Sequence, residues 1–256
     1  GEANSLSVQE RMLLLDAAVE SGIDGSMITP GTGCTALTDS VRLTQHAVKL
    51  GCNGVLMLPP FYYKDVSNDG LFRSFAEVIE RVGDHRLKIY LYHIPPVSGV
   101  PLDLSLVNRL ADAYPDCVVG LKDSSGDWAY TESLLKMRPK FGAFSGSEVF
   151  LRQNLLAGGR GTITASANVN AGAIRAAYDG FQNAEGKALQ TSITRRRKII
   201  QEYPMIPALK SITAKITGNN NWCQVRPPLQ PLSSGASDNL LQALIQNGFH
   251  LSPKSD

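Results

Sequence analysis

Lys122 stands where lysines are seldom found. It closes the short apolar run Val118-Val119-Gly120-Leu121-Lys122, the length of a buried strand, and the polar loop Asp123-Ser124-Ser125-Gly126-Asp127 follows at once. An amine walled in by apolar groups is disfavoured as ammonium, and the free amine adds to ketones to form a Schiff base. The alternative is a lysine just past the strand end that swings its head into solvent. Two further features favour chemistry. Gly120 lies on the same face as Lys122 by strand alternation, and leaves room for a substrate. In Tyr90-Leu91-Tyr92-His93 the same alternation puts Tyr90 and Tyr92 on one face, so that Tyr92 at a strand end can move protons to and from a carbinolamine. A tyrosine bonded only to backbone is the structural alternative. Phe61-Tyr62-Tyr63 follows another strand end, as packing, an interface contact or part of a site. Glu148 opens a helix beyond a strand end, where a carboxylate is a normal partner of the helix dipole.

Other chemistries find less support. His46, His85, His93 and His250 show no ligand spacing, and Cys34, Cys52, Cys117 and Cys223 form no CxxC pair. Neither a metal site nor a disulfide framework is expected, nor any cofactor. The cysteine usage fits a reducing, cytoplasmic compartment. There is no G-x-S-x-G elbow. A net charge of +2 points to no polyanionic partner, and the basic run Arg195-Arg196-Arg197-Lys198 lies in a helical pattern and reads as a solvated face. No apolar stretch is long enough to span a membrane, and no signal peptide is recognisable.

The elements that would position these residues alternate. Helices are expected at 7–21 (N-cap Ser7, with Glu10 completing a capping box), about 38–50 (started by Thr38 or Asp39), 69–82, 103–113, 128–137 and 148–157. Strands are expected at 26–29, 54–58, 88–93, 118–122, 142–145 and 162–165. Such alternation means βα units around a parallel sheet. The unusual residues Thr29, Tyr92, Lys122, Ser145 and Thr164 all fall at strand ends, the pattern of a TIM (β/α)8 barrel, whose active site lies at the C-terminal ends of its strands. The glycine cluster at 158–161 precedes its strand, so it reads as a turn and not as a phosphate cradle. Only six strands are visible. Beyond about residue 172 the pattern is helical (171–183, 185–202, 205–217 and 237–247), so the first two strands are expected before Gly1. The chain divides on this reading into a barrel domain, 1–183, and a C-terminal helical region, 184–256.

At these motifs the sequence resembles the dihydrodipicolinate synthase / N-acetylneuraminate lyase superfamily of class I pyruvate aldolases. The carriers, in order, are Pro60-Phe61-Tyr62-Tyr63, Tyr92-His93-Ile94-Pro95-Pro96-Val97-Ser98-Gly99-Val100, Gly120 through Asp127, Ser145-Gly146-Ser147-Glu148 and Ala167-Asn168-Val169. The likeness runs from Gly1 to about Gly172 and more weakly through the tail. The resemblance implies a (β/α)8 barrel with a helical appendix that assembles as a homo-oligomer, a dimer or tetramer. It implies that Lys122 forms the Schiff base with pyruvate or another 2-keto acid, that Tyr92 shuttles protons, and that Tyr62 is the relay tyrosine reaching a neighbouring subunit's site. Gly146, Ile163 and Ala165 match positions around the keto-acid pocket; Ser147 and Glu148 match those facing the substrate's polar tail.

Three departures refine the expectation. The family's Gly-Thr-Thr-Gly-Glu loop is represented only by Gly1-Glu2. Val97 stands where dihydrodipicolinate synthases carry an arginine for the second substrate's carboxylate. Ser147-Glu148 replaces an acidic pair and is closer to the sugar-acid lyases. The leading expectation is therefore cleavage of a 2-keto-3-deoxy sugar acid to pyruvate and an aldehyde. The alternatives are a dihydrodipicolinate synthase or keto-acid dehydratase using the same lysine, and a catalytically impaired keto-acid-binding homologue.

Overall fold

The computed structural model of the chain describes residues 1–251. They form two compact units, one of residues 6–146 with 157–160, the other of 1–5, 147–156 and 161 onward. The larger unit contains α1 (Val8–Glu20), α2 (Leu37–Lys49), β1 (Val55–Met57), α3 (Asn68–Val82), β2 (Ile89–His93), α4 (Pro95–Ser98), α5 (Leu104–Ala113), β3 (Val118–Asp123), α6 (Trp128–Met137) and β4 (Gly142–Ser145). Its four strands lie side by side in sequence order, each parallel to the next. Parallel neighbours need crossovers of the kind these helices provide.

Local chemistry explains most boundaries. The Ser7 hydroxyl accepts the Glu10 N–H while the Glu10 carboxylate accepts the Ser7 N–H, the capping box expected of α1. Helix α3 begins at Ser67, whose side chain caps Gly70 N–H, and stops at Gly83, whose φ of 62° suits a residue without Cβ. Leu71, Phe75 and Val78 recur at helical spacing along α3 and are buried. They meet Met57, Ile89, Leu91 and Leu121 from the sheet in one apolar core.

Two expectations fail in this unit. Residues 26–29 are not a strand: Gly25–Met27 is a 3-10 turn capped by Asp24. The chain then runs beside β1 through bonds from Asn53 N–H to Ile28 C=O, Leu56 N–H to Pro30 C=O and Thr32 N–H to Leu56 C=O, with a single bridge at Gly31. Pro30 has no N–H to donate, which keeps a regular ladder from forming. Helix α2 starts after Ala36, not after a side-chain cap at Thr38 or Asp39.

The smaller unit holds a 3-10 turn (Glu148–Phe150), α7 (Leu151–Leu156), the two-residue strand β5 (Gly161–Thr162), α8 (Ala167–Asp179), α9 (Ala184–Gln201), α10 (Met205–Thr217) and α11 (Ser234–Gln246). Five strands are thus assigned among the described residues where six were expected, and β5 stops before Ile163. Ile200, Ala208, Ile212, Leu240 and Leu244 form one apolar cluster, and Leu151, Ile174 and Ile193 a second. The N-terminal residues belong here, tied by Lys210 Nζ to Glu2 at 3.0 Å and by Arg226 Nη1 to Ser5 C=O at 2.9 Å. The basic run of α9 is not a solvated face. Arg197 shares the buried face of Ile193 and Ile200, and Arg196 donates to Gly248 C=O at 2.6 Å and to Asn170 Oδ1 at 3.2 Å. Helical periodicity turns only Arg195 and Lys198 outward.

Candidate active site

In the larger unit the parallel register sets Tyr92 directly opposite Lys122, and His93 opposite Asp123. Lys122 is buried, 9% exposed. Its Nζ lies 4.0 Å from the centroid of the Tyr92 ring. Two strand ends therefore bring together the amine and the phenol that the sequence singled out. Asp123 organises the turn that follows: Oδ1 accepts Ser125 N–H at 2.9 Å, Oδ2 accepts the Thr131 hydroxyl at 2.6 Å, and its carbonyl accepts Gly146 N–H at 2.6 Å.

The role expected of Gly120 changes. A Cβ there would come within 2.5 Å of the Tyr90 ring and 2.4 Å of Gly142 C=O. The space beside Lys122 on its own strand is filled by Tyr90, not kept for a substrate. The same ring lies near the positions a Cβ would take at Gly54 (3.1 Å) and Gly142 (3.3 Å), and it meets Phe144 edge-on at 5.7 Å. Glycines on three neighbouring chain segments thus admit one large ring below the Tyr92–Lys122 level. The sequence carried a signal for this seat, because each glycine sits in an otherwise apolar strand pattern.

Gly146 is under a comparable constraint. A Cβ there would fall 1.9 Å from the Ser124 hydroxyl and 2.8 Å from Asp123 C=O, so β4 can hand its chain past the lysine loop only as glycine. Tyr62 is 73% exposed and stands edge-on to Tyr63 at 5.4 Å. Its loop is pinned by Lys64, whose Nζ donates to the carbonyls of Phe61 and Ser98. Val97, beside that anchor, is exposed.

The other sequence-selected residues lie in the smaller unit. Ser147 caps the 3-10 turn, accepting Val149 N–H at 3.3 Å. Glu148 was expected to face the polar tail of a substrate or to serve the helix dipole. Instead its side chain is 0% exposed and saturated: Oε2 accepts the Thr164 hydroxyl at 2.6 Å, Oε1 accepts the Ser166 hydroxyl, and Arg197 Nη1 lies 3.8 Å from Oε2. Arg197 also donates to Thr164 Oγ1 at 3.1 Å. Thr164, Ser166 and Arg197 were not selected as partners of Glu148, because residues 148, 164–166 and 197 carry no common sequence spacing. Ile163 is half-buried, and Ala165 packs against the apolar cluster of α9, α10 and α11.

Among the described residues no three of His, Cys, Asp and Glu gather as a metal site, and no helix is long and apolar enough to cross a membrane.

Comparison with known proteins places the chain in a family. The sequence model described as the Dihydrodipicolinate synthetase family matches residues 1–247. An uncharacterized DapA-like lyase of Chloroflexus aurantiacus is 34% identical over 238 residues, which cover 91% of this chain and 78% of that protein. The putative 2-dehydro-3-deoxy-D-gluconate aldolase YagE of Escherichia coli is 28% identical over 254 residues, 96% of this chain and 82% of its own. Its crystal structure in complex with pyruvate superposes with a TM-score of 0.86 at 25% identity, covering 98% of this chain and 85% of that one. The crystal structure of dihydrodipicolinate synthase from Agrobacterium tumefaciens superposes with a TM-score of 0.88 at 33% identity, covering 96% and 84%.

Proposed function

Because the chain belongs to the dihydrodipicolinate synthetase family, whose members are class I pyruvate-dependent aldolases and lyases, it is an enzyme of that kind, and we propose that it cleaves a 2-keto-3-deoxy sugar acid to pyruvate and an aldehyde through a Schiff base on Lys122. The observation that carries this reading is the buried Lys122 amine held 4.0 Å from the Tyr92 ring at adjoining strand ends. Lys122 Nζ adds to the C2 ketone, and the carbinolamine loses water with Tyr92 passing the proton. The protonated imine then draws the electron pair of the C3–C4 bond, the C4 hydroxyl proton leaves to Tyr92, and the aldehyde departs. The enamine takes a proton at C3, and water releases pyruvate and the free lysine. The name of YagE as a putative aldolase of a 2-dehydro-3-deoxy acid, and its pyruvate complex, support this substrate class.

The rest of the site follows as part of the proposal. The family resemblance assigns Gly146, Ile163 and Ala165 to keto-acid binding and Ser147 to the substrate's polar tail. Glu148, with both oxygens taken by hydroxyls, acts through Thr164 and Ser166. Tyr62 relays protons into a neighbouring subunit's site, which requires a homo-oligomer. The full (β/α)8 barrel, the division of this chain near residue 183 and a cytoplasmic setting belong to the same reading.

Pyruvate with borohydride tests it. The peptide containing Lys122 should gain the mass of a reduced pyruvate adduct; an unmodified Lys122 sinks the proposal. Pyruvate release across a panel of keto acids then separates aldol cleavage from dehydration or dihydrodipicolinate synthesis. Exposed Val97 offers no cation to a second carboxylate, which favours cleavage over synthesis.

A further inference from the structure

Behind the Lys122–Tyr92 pair lies a second pair that the reaction does not use. Strand alternation sends His93 and Asp123, the next residues on each strand, to the opposite face, and both are buried. His93 Nδ1 accepts Leu102 N–H at 3.0 Å. The Leu102 carbonyl accepts the Tyr130 hydroxyl at 2.6 Å, and the Tyr130 ring stacks flat on the His93 ring, centroids 4.1 Å apart and planes 2° from parallel. Thr131, next in α6, donates to Asp123 Oδ2 at 2.6 Å. A ring of contacts therefore closes from β2 through His93, Leu102, Tyr130 and Thr131 to Asp123 and β3. Two further bonds lace the strand ends, Ser124 N–H to His93 C=O at 2.7 Å and Gly146 N–H to Asp123 C=O at 2.6 Å.

We propose that His93 and Asp123 are positioning residues, which set the separation of the Lys122 amine from the Tyr92 ring by bracketing both strand ends to α6. The role rests on the Schiff-base reading for its meaning, but the bracket is a physical device in its own right. A side chain one residue from the reacting group, anchored on the far face, limits the rotation and sliding of the strand end. Misplacement by about 1 Å costs a catalyst up to about a hundredfold in rate. The bracket is specific in its chemistry. It needs a hydrogen-bond acceptor at the Nδ1 position, a hydroxyl at 131 and a phenol at 130.

The test uses near-isosteric changes: His93→Leu, which removes the acceptor, His93→Asn, which restores one near Nδ1, Thr131→Val and Tyr130→Phe. The first readout needs no substrate. Reductive methylation with formaldehyde and cyanoborohydride, quantified by peptide mass spectrometry, gives the reactivity of Lys122 relative to the other lysines. We expect His93→Leu and Thr131→Val to change that ratio by about threefold or more, and His93→Asn to bring it back toward wild type. The second readout is pyruvate trapping by borohydride, where the same variants should lose about tenfold in maximal rate with little change in the half-saturating pyruvate concentration. Should His93→Leu fail to fold, Thr131→Val and Tyr130→Phe carry the test. Folded variants with wild-type methylation ratios and trapping rates overturn the proposal. If wild-type Lys122 methylates but never traps pyruvate, the Schiff-base reading fails, and the methylation ratios still decide the bracket.

Discussion

Glu148 shows how a single residue can be chemically conspicuous and structurally committed. Its carboxylate and Arg197 are buried together with the Thr164 and Ser166 hydroxyls. Removing one partner strands the other in a medium where an unpaired charge is costly. Glu148→Leu should therefore destabilise the protein by about 3–5 kcal/mol, measured by urea denaturation, while Glu148→Gln, which keeps one acceptor oxygen, should cost less. His93 makes a second residue-scale prediction. Burial holds its imidazole below the ordinary histidine range, and the Asp123 charge opposes that shift without reversing it. The unfolded chain thus binds the proton more readily than the native one. The contribution of His93 is full above about pH 6.5, declines as pH falls from there toward the lower native value, and changes no further below it. Melting temperatures from pH 7.5 down to 5 should fall less steeply for His93→Asn than for wild type.

At the scale of elements, the parallel sheet does the positioning and its glycines set what fits. Tyr92 meets Lys122 because β2 and β3, after a register shift between Ile89 and Tyr90, keep one register from Tyr90 and Gly120 to His93 and Asp123, and a further slip by one residue would put His93 against the amine instead. Tyr90 wedges against Gly54, Gly120 and Gly142 below them. Gly120→Ala would press a methyl into the Tyr90 ring and the Gly142 carbonyl, and backbone cannot move aside cheaply. A loss of about 1–3 kcal/mol is expected from such overpacking, visible as a lower urea midpoint. Tyr90→Leu in the same chain should recover part of it by vacating the space. The strand and helix sites were legible wherever side-chain periodicity and caps agree, as in α1, α6 and β4. They were not legible at 26–29, where Pro30 interrupts the ladder, nor at 163–165, where an apolar and hydroxylic alternation leaves the strand after two residues.

For the whole molecule, both compact units carry their own apolar clusters, and the proposed chemistry adds a requirement for more than one chain. The Tyr62–Tyr63 pair, on a loop fastened by Lys64, is exposed, as the proposed relay into a neighbouring subunit requires. Sedimentation should report a multiple of the 27.6 kDa chain. Tyr62→Phe should then lower kcat with little effect on KM; a monomer with full activity would remove the relay role from Tyr62.

The sequence by itself determined the class of fold and the placing of Lys122 and Tyr92 at strand ends, because strand alternation and the βα rhythm are local and survive in a one-dimensional pattern. Only the tertiary structure decided what each buried polar group touches. That Gly120 makes room for Tyr90, that Arg197 turns inward to Glu148, and that His93 and Asp123 close a ring through α6 are contacts between residues far apart in the chain. They arise from packing, and no spacing along the chain encodes them.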